Sequence, residues 1–131
     1  MDCDFEGVVG TALAKVFDLQ VARTGLTERE AKAKGLAVAA ATVQAMDHAR
    51  YYPDNAPLHV KLVIDTHSGR LLGAQMVGTQ GAAKRIDVLA AALYAKMTVD
   101  DLARLDCSYA PPYAPVWDPI LVAANVLGGC K

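Results

Sequence analysis

The sequence predicts an α+β domain: an antiparallel sheet of four or five strands with helices packed on one face. Three observations carry this. Leu58, Val60, Leu62 and Ile64 alternate with His59, Lys61 and Asp65, and a second apolar run, Leu71 to Val77, follows the turn residues Asp65-Thr66-His67-Ser68-Gly69. Ile86, Leu89, Ala90, Leu93 and Met97 keep a helical period. A chain of 131 residues with 53% hydrophobic content suits one ordinary domain with its own core.

The elements follow in order. After Gly10-Thr11, Leu13, Val16, Phe17 and Gln20 fall on one face at helical spacing, so a first helix is expected there, broken at Thr24-Gly25. Thr27 with Glu30 forms a capping box opening a short helix through Ala31 and Ala33, which stops at Gly35. Val38 to Met46 alternates as a strand, although its alanines favour helix. Tyr51-Tyr52-Pro53-Asp54-Asn55-Ala56-Pro57 is a loop punctuated by two prolines. The hairpin 58–77 comes next, then the amphipathic helix, closing near Lys96. Thr98 caps a further short helix with Asp100 and Asp101 in its first turn. A stiff loop, Tyr109-Ala110-Pro111-Pro112-Tyr113-Ala114-Pro115, leads to Asp118-Pro119, an N-cap with proline at N1. The last helix, Ile120 to Leu127, ends at Gly128-Gly129 and is apolar nearly all round, so one face needs a partner.

Composition narrows the function classes. With 13 Lys+Arg against 14 Asp+Glu, the net charge of -1 gives no footprint for nucleic acid or an anionic membrane surface. No apolar run reaches the ~18 residues of a membrane span, and the acidic N-terminus is not expected to act as a signal peptide. Three cysteines, Cys3, Cys107 and Cys130, form no CxxC pair, so a reduced cytoplasmic chain is expected. Cys107 is expected to be buried and inert, with Cys3 and Cys130 incidental at the chain ends. His48, His59 and His67 are scattered, none at i, i+4 from another ligand, so no metal site is expected. There is no GxGxxG, no phosphate-binding GxxxxGK[ST] and no nucleophile elbow. Alone, the chain shows no catalytic engine.

Two tyrosine-proline loops remain. A phenol with a pKa of about 10 stays neutral at pH 7 and can donate to a thiolate or oxyanion. Flanking prolines would hold it still. Tyr51, Tyr52, Tyr109 and Tyr113 equally suit amphipathic packing under loops, and residue chemistry alone leaves both readings open. Lys84-Arg85 opens a helix, where cations are disfavoured; this suits either a nearby anion or a solvated basic pair balanced by Asp87.

Five blocks carry a resemblance. They are Gly7-Val8-Val9-Gly10-Thr11 with Lys15-Val16-Phe17-Asp18-Leu19; Thr24-Gly25-Leu26-Thr27; Gly69-Arg70-Leu71-Leu72-Gly73-Ala74-Gln75; Lys84-Arg85-Ile86-Asp87-Val88-Leu89-Ala90; and Tyr109-Ala110-Pro111-Pro112-Tyr113. In this order, from about Phe5 to Leu127, the chain resembles the C-terminal dimerisation domain of the FAD-dependent pyridine nucleotide-disulfide oxidoreductases. It is most similar to the branch of coenzyme A-disulfide reductase, NADH oxidase and the persulfide or polysulfide reductases. The glutathione-reductase branch carries a His-Glu pair near its C-terminus; here the matching stretch is the Tyr109 loop.

The resemblance implies that residues 1–131 are a single dimerisation domain, with the FAD-binding and NAD(P)H-binding domains outside this chain. FAD and NAD(P)H belong to the full-length enzyme, and the isolated domain is expected to bind neither and to be inactive. The implied partners are a second copy and those two domains, with no nucleic acid, membrane or metal. The resemblance also implies that Tyr51 and Tyr109 point at the reactive sulfur and flavin of the opposite subunit, reversing the balance for these two. Tyr109, Ala110 and Pro111 would lie at the flavin, while Tyr52 and Tyr113 keep a packing role. Several coenzyme A-using relatives carry a basic residue where this chain has Trp117. An indole can pack against a substrate but cannot neutralise phosphate, so a persulfide, polysulfide or O2 stands beside coenzyme A disulfide as substrate. The alternative is a free-standing interaction or small-ligand module that kept the fold without the redox role.

Overall fold

The computed structural model describes residues 7–128. Its strands are β1 (Ala12–Val16), β2 (Leu19–Gly25), β3 (Val38–Met46), β4 (Pro57–Asp65) and β5 (Leu71–Gly78). Its helices are α1 (Glu28–Ala33), α2 (Ala82–Tyr94), α3 (Val99–Ala103) and α4 (Pro119–Gly128). The five strands form one sheet in the order β1-β2-β5-β4-β3, antiparallel at every pairing. This is the α+β architecture that the sequence predicts.

Strand alternation decides where the core sits. Leu58, Val60 and Leu62 of β4, with Ala74 and Met76 of β5, turn to one face and are buried. On them pack Ile86 and Leu89 of α2, Leu102 of α3 and Ile120, Ala123 and Ala124 of α4. Removing these side chains from water contributes about 25 cal/mol per Å² of apolar surface, the main term holding the domain together. Across the opposite face runs the row Ala12, Arg23, Gln75, Lys61, Thr42 in register. Glu28 and Glu30 of α1 reach this face, pairing with Lys61 (2.8 Å) and Arg23 (3.1 Å). Gly73 is required where β5 passes beneath the Leu26 backbone, because a Cβ there would collide with the Leu26 carbonyl.

The helix starts agree with the expected caps. Thr27 with Glu30, and Thr98 with Asp101, both form complete capping boxes. The orphan N–H groups of Ala82 and Ala83 at the start of α2 donate to Gln20 Oε1 of β2, each at 3.0 Å.

One expected element is corrected. The segment 11–20 is not a helix but the β1–β2 hairpin, turning at Phe17 and Asp18. All five residues of β1 are exposed, so their spacing carries no record of a buried face. What fixes the segment is β2, which hydrogen-bonds along β5 from Gln20 to Gly25. Sheet pairing overrides a weak local pattern.

Candidate functional site

The expected site residues lie in two loops at one end of the sheet. The first, residues 47–56, joins β3 to β4, and the second, 109–117, precedes α4. Each loop closes on itself. Asp47 Oδ1 accepts the Ala56 N–H (2.6 Å), tying the ends of the first loop together. Asn55 Nδ2 donates to the carbonyls of Arg50 (2.9 Å) and Tyr52 (2.7 Å) across its middle. In the second loop the Tyr113 and Ala114 N–H groups both donate to the Ala110 carbonyl. A cross-tie, Ala49 N–H to the Pro111 carbonyl at 3.3 Å, fastens one loop to the other.

Tyr51 and Tyr109, 58 residues apart, meet here: their hydroxyls are 2.8 Å apart. Tyr51 is 75% and Tyr109 49% exposed, so the pair forms a polar tip on a stiff edge. The hydrogen bond with Tyr109, aided by partial desolvation, raises the Tyr51 pKa above that of an ordinary phenol. Tyr51 therefore stays protonated at neutral pH. Whichever oxygen accepts, its own O–H is left to donate outward, strengthened by the bond it receives.

Ala110 and Pro111 adjoin the tip along the same loop, with Ala110 bridged to Ala114. Trp117 is 62% exposed, and Val116 and Tyr113 of the same loop are exposed too. Tyr113 thus does not pack under its loop. Tyr52 does pack, edge-on to the His48 ring with centroids 5.8 Å apart. Cys107 is half-buried, and burial pushes its thiol pKa up, so it is a poor nucleophile. Cys3 and Cys130 lie outside the described residues. No three His, Cys, Asp or Glu side chains converge as metal ligands among the described residues, and no helix there is long and apolar enough to cross a membrane.

Beneath the tip is a layer the sequence did not reveal. Arg85 is not a solvated partner of Asp87; it is 3% exposed. Its Nε donates to both carboxylate oxygens of Asp118 (2.9 and 3.2 Å), Nη2 to the Asp47 carbonyl (2.8 Å) and Nη1 to the Gly81 carbonyl (3.2 Å). Asp118 meanwhile caps α4 through the Ile120 N–H. His48, also buried, is held by Asp47 Oδ2 (2.8 Å) at Nδ1 and the Pro53 carbonyl (3.0 Å) at Nε2. A basic residue at a helix start was the one legible signal for this layer.

Fold and site define an α+β domain that presents a braced tyrosine edge. Residues 11–119 match the family model described as "Pyridine nucleotide-disulphide oxidoreductase, dimerisation domain". The chain belongs to that family. It is 46% identical over 123 residues, 94% of its length, to an NAD(P)H coenzyme A polysulfide/persulfide reductase of Pyrococcus horikoshii, covering 27% of that protein. It is 40% identical over 125 residues, 95% of its length, to a coenzyme A disulfide reductase of Staphylococcus aureus, again covering 27%. The solved structure of an NAD-dependent persulfide reductase from A. fulgidus superposes with a TM-score of 0.92 at 46% identity, covering 95% of this chain and 23% of that one. The chain thus spans about a quarter of the length of these relatives.

Proposed function

We propose that this domain forms the homodimer interface of an FAD-dependent NAD(P)H disulfide reductase and lends Tyr51 and Tyr109 to the partner subunit's active site. The carrying observation is the 2.8 Å phenol pair, brought together across 58 residues and left exposed on a braced edge. A buried pair would suggest packing; an exposed one with a free O–H suits a group lying outside the chain. The similarity to coenzyme A-disulfide and persulfide reductases supplies that group's class: a sulfur leaving as thiolate.

All strand pairs among the described residues are antiparallel, whereas a dinucleotide pocket of the Rossmann kind is built on a parallel βαβ unit. Tyr109, Ala110 and Pro111 therefore fit an edge contact to a flavin held by another domain, not a pocket for one. A bound flavin supplies the electron path from NAD(P)H to the disulfide. This chain's part is to position and to donate. The outward O–H hydrogen-bonds the departing sulfur as negative charge develops on it, and it lies fixed before the reaction begins. Trp117 offers a flat apolar wall for a substrate beside the tip. It provides no charge for a phosphate, so a persulfide or polysulfide suits the site as well as coenzyme A disulfide.

The test is made on the assembled reductase carrying this domain, following NAD(P)H oxidation with coenzyme A disulfide and with a persulfide. Tyr51→Phe and Tyr109→Phe, singly and together, are expected to leave the dimer intact. Removing a preorganised donor of this kind costs on the order of 10²-fold in kcat. An unchanged kcat in the double variant, for both substrates, would overturn the tyrosine role.

A further inference from the structure

The three groups that Arg85 binds belong to three separate segments. Asp47 lies four positions before Tyr51, Gly81 precedes α2, and Asp118 ends the loop that begins with Tyr109. A single guanidinium thus fixes the root of each tyrosine loop to the same helix. Its donors form a planar fork of fixed angle, so satisfying Asp118 and the Asp47 carbonyl together sets the distance between those roots. Gly81 makes room for this. A Cβ there would stand 2.5 Å from Arg85 Nη1 and 3.2 Å from Asp47 Cβ.

Stability alone does not account for burying this charge. Removing an ion pair from water costs about as much as the pair returns, and apolar replacements of equal volume are often as stable. What a forked, charged hub contributes is a unique geometry. Here that geometry ends at two hydroxyls 2.8 Å apart, a spacing that slippage of either loop would destroy.

We propose that Arg85, paired with Asp118, is a positioning residue that holds the Tyr51 and Tyr109 loops at phenol-pairing distance. Its functional meaning rests on the reading of the tyrosines given above, but its test does not. The tyrosine ring carbons of this chain are labelled, and the ionisation of Tyr51 is followed by NMR, with Tyr51→Phe assigning the resonance. Tyr109→Phe gives the midpoint of Tyr51 without its partner, which falls toward the ordinary phenol value of about 10.

Asp118→Asn keeps an oxygen to cap α4 but removes the charge. Arg85→Lys keeps the charge but loses the fork. In both, the Tyr51 midpoint is expected to fall to that of Tyr109→Phe while circular dichroism is unchanged. Glu28→Gln, which breaks an ion pair on the opposite face of the sheet, is expected to leave the midpoint at its wild-type value. A wild-type midpoint in either folded hub variant overturns the proposal. So does a fall in Glu28→Gln equal to theirs, because the shift would then report general loosening. Should Arg85→Lys fail to fold, Asp118→Asn decides. If the assembled enzyme ignores both tyrosines, the catalytic reading fails while this positioning result stands.

Discussion

Both ring nitrogens of His48 lie at hydrogen-bond distance from groups that accept, the Asp47 carboxylate and the Pro53 carbonyl. Acceptors on both sides favour the imidazolium form. The Asp47 hydrogen bond, with the Pro53 carbonyl second, raises the His48 pKa above its ordinary 6.5 against the opposing effect of burial. The stabilisation is complete below the unfolded value and is lost as pH rises through the folded one. Glu28 has the opposite sign: hydrogen bonds from Lys32 and Lys61 lower its pKa from 4.5 to about 2. Its contribution is present above 4.5 and is lost as pH falls toward 2. The urea midpoint is therefore expected to peak between these windows and to decline above about pH 6.5. His48→Gln should flatten the alkaline limb alone. An alkaline limb that survives this change unaltered would assign the decline to another group. Local sequence could not reveal this histidine's partners, since the Pro53 carbonyl is set by the loop's fold. Arg85 was illegible for a similar reason: its charge partner Asp118 lies 33 residues away, while Asp87, close in sequence, offered a cheaper account.

At the scale of elements, legibility tracks burial. The β4–β5 hairpin was plain because β4 buries alternate residues, and that alternation is written into Leu58, Val60 and Leu62. The caps at Thr27 and Thr98 were equally plain, since a capping box is complete within four residues. By contrast, β1 buries nothing and could not announce itself. Its turn adds a second disguise. Phe17 has a positive φ of 53°, a conformation usually reserved for glycine, asparagine or aspartate, and is 93% exposed. At that exposure the phenylalanine buries little surface to offset its backbone strain, which for a left-handed residue costs about 1–2 kcal/mol. Phe17→Gly removes that strain at a cost of about 0.5–1 kcal/mol in backbone entropy. The net expectation is a stability gain of about 0.5 kcal/mol for the isolated chain, read as a higher urea midpoint at unchanged slope. A loss would mean that Phe17 makes a contact worth more than the strain.

For the molecule as a whole, the question is which surface meets a second copy. The tyrosine edge can serve a partner's active site only if the interface runs beside it, so the exposed apolar residues flanking that edge become the candidates. Tyr113, Val116 and Trp117 lie along its loop. Together they are the kind of patch that marks association, and tryptophan is among the residues that most often dominate binding energy. A double change, Val116→Asp with Trp117→Asp, adds two charges to this patch while keeping Arg85, Asp118 and both tyrosines. Losing one dominant contact of about 2 kcal/mol corresponds to roughly a 30-fold weaker dimer. Light scattering over a dilution series is expected to show the wild-type chain dimeric at low micromolar concentration and the double variant dissociating well above it. If both dissociate alike, the tyrosine edge does not border the interface. The exposed β1–β2 hairpin, with Leu13, Val16, Phe17 and Leu19, would then be the surface to alter next. The phenol pair would face solvent in the dimer, too far from a partner's sulfur to act on it.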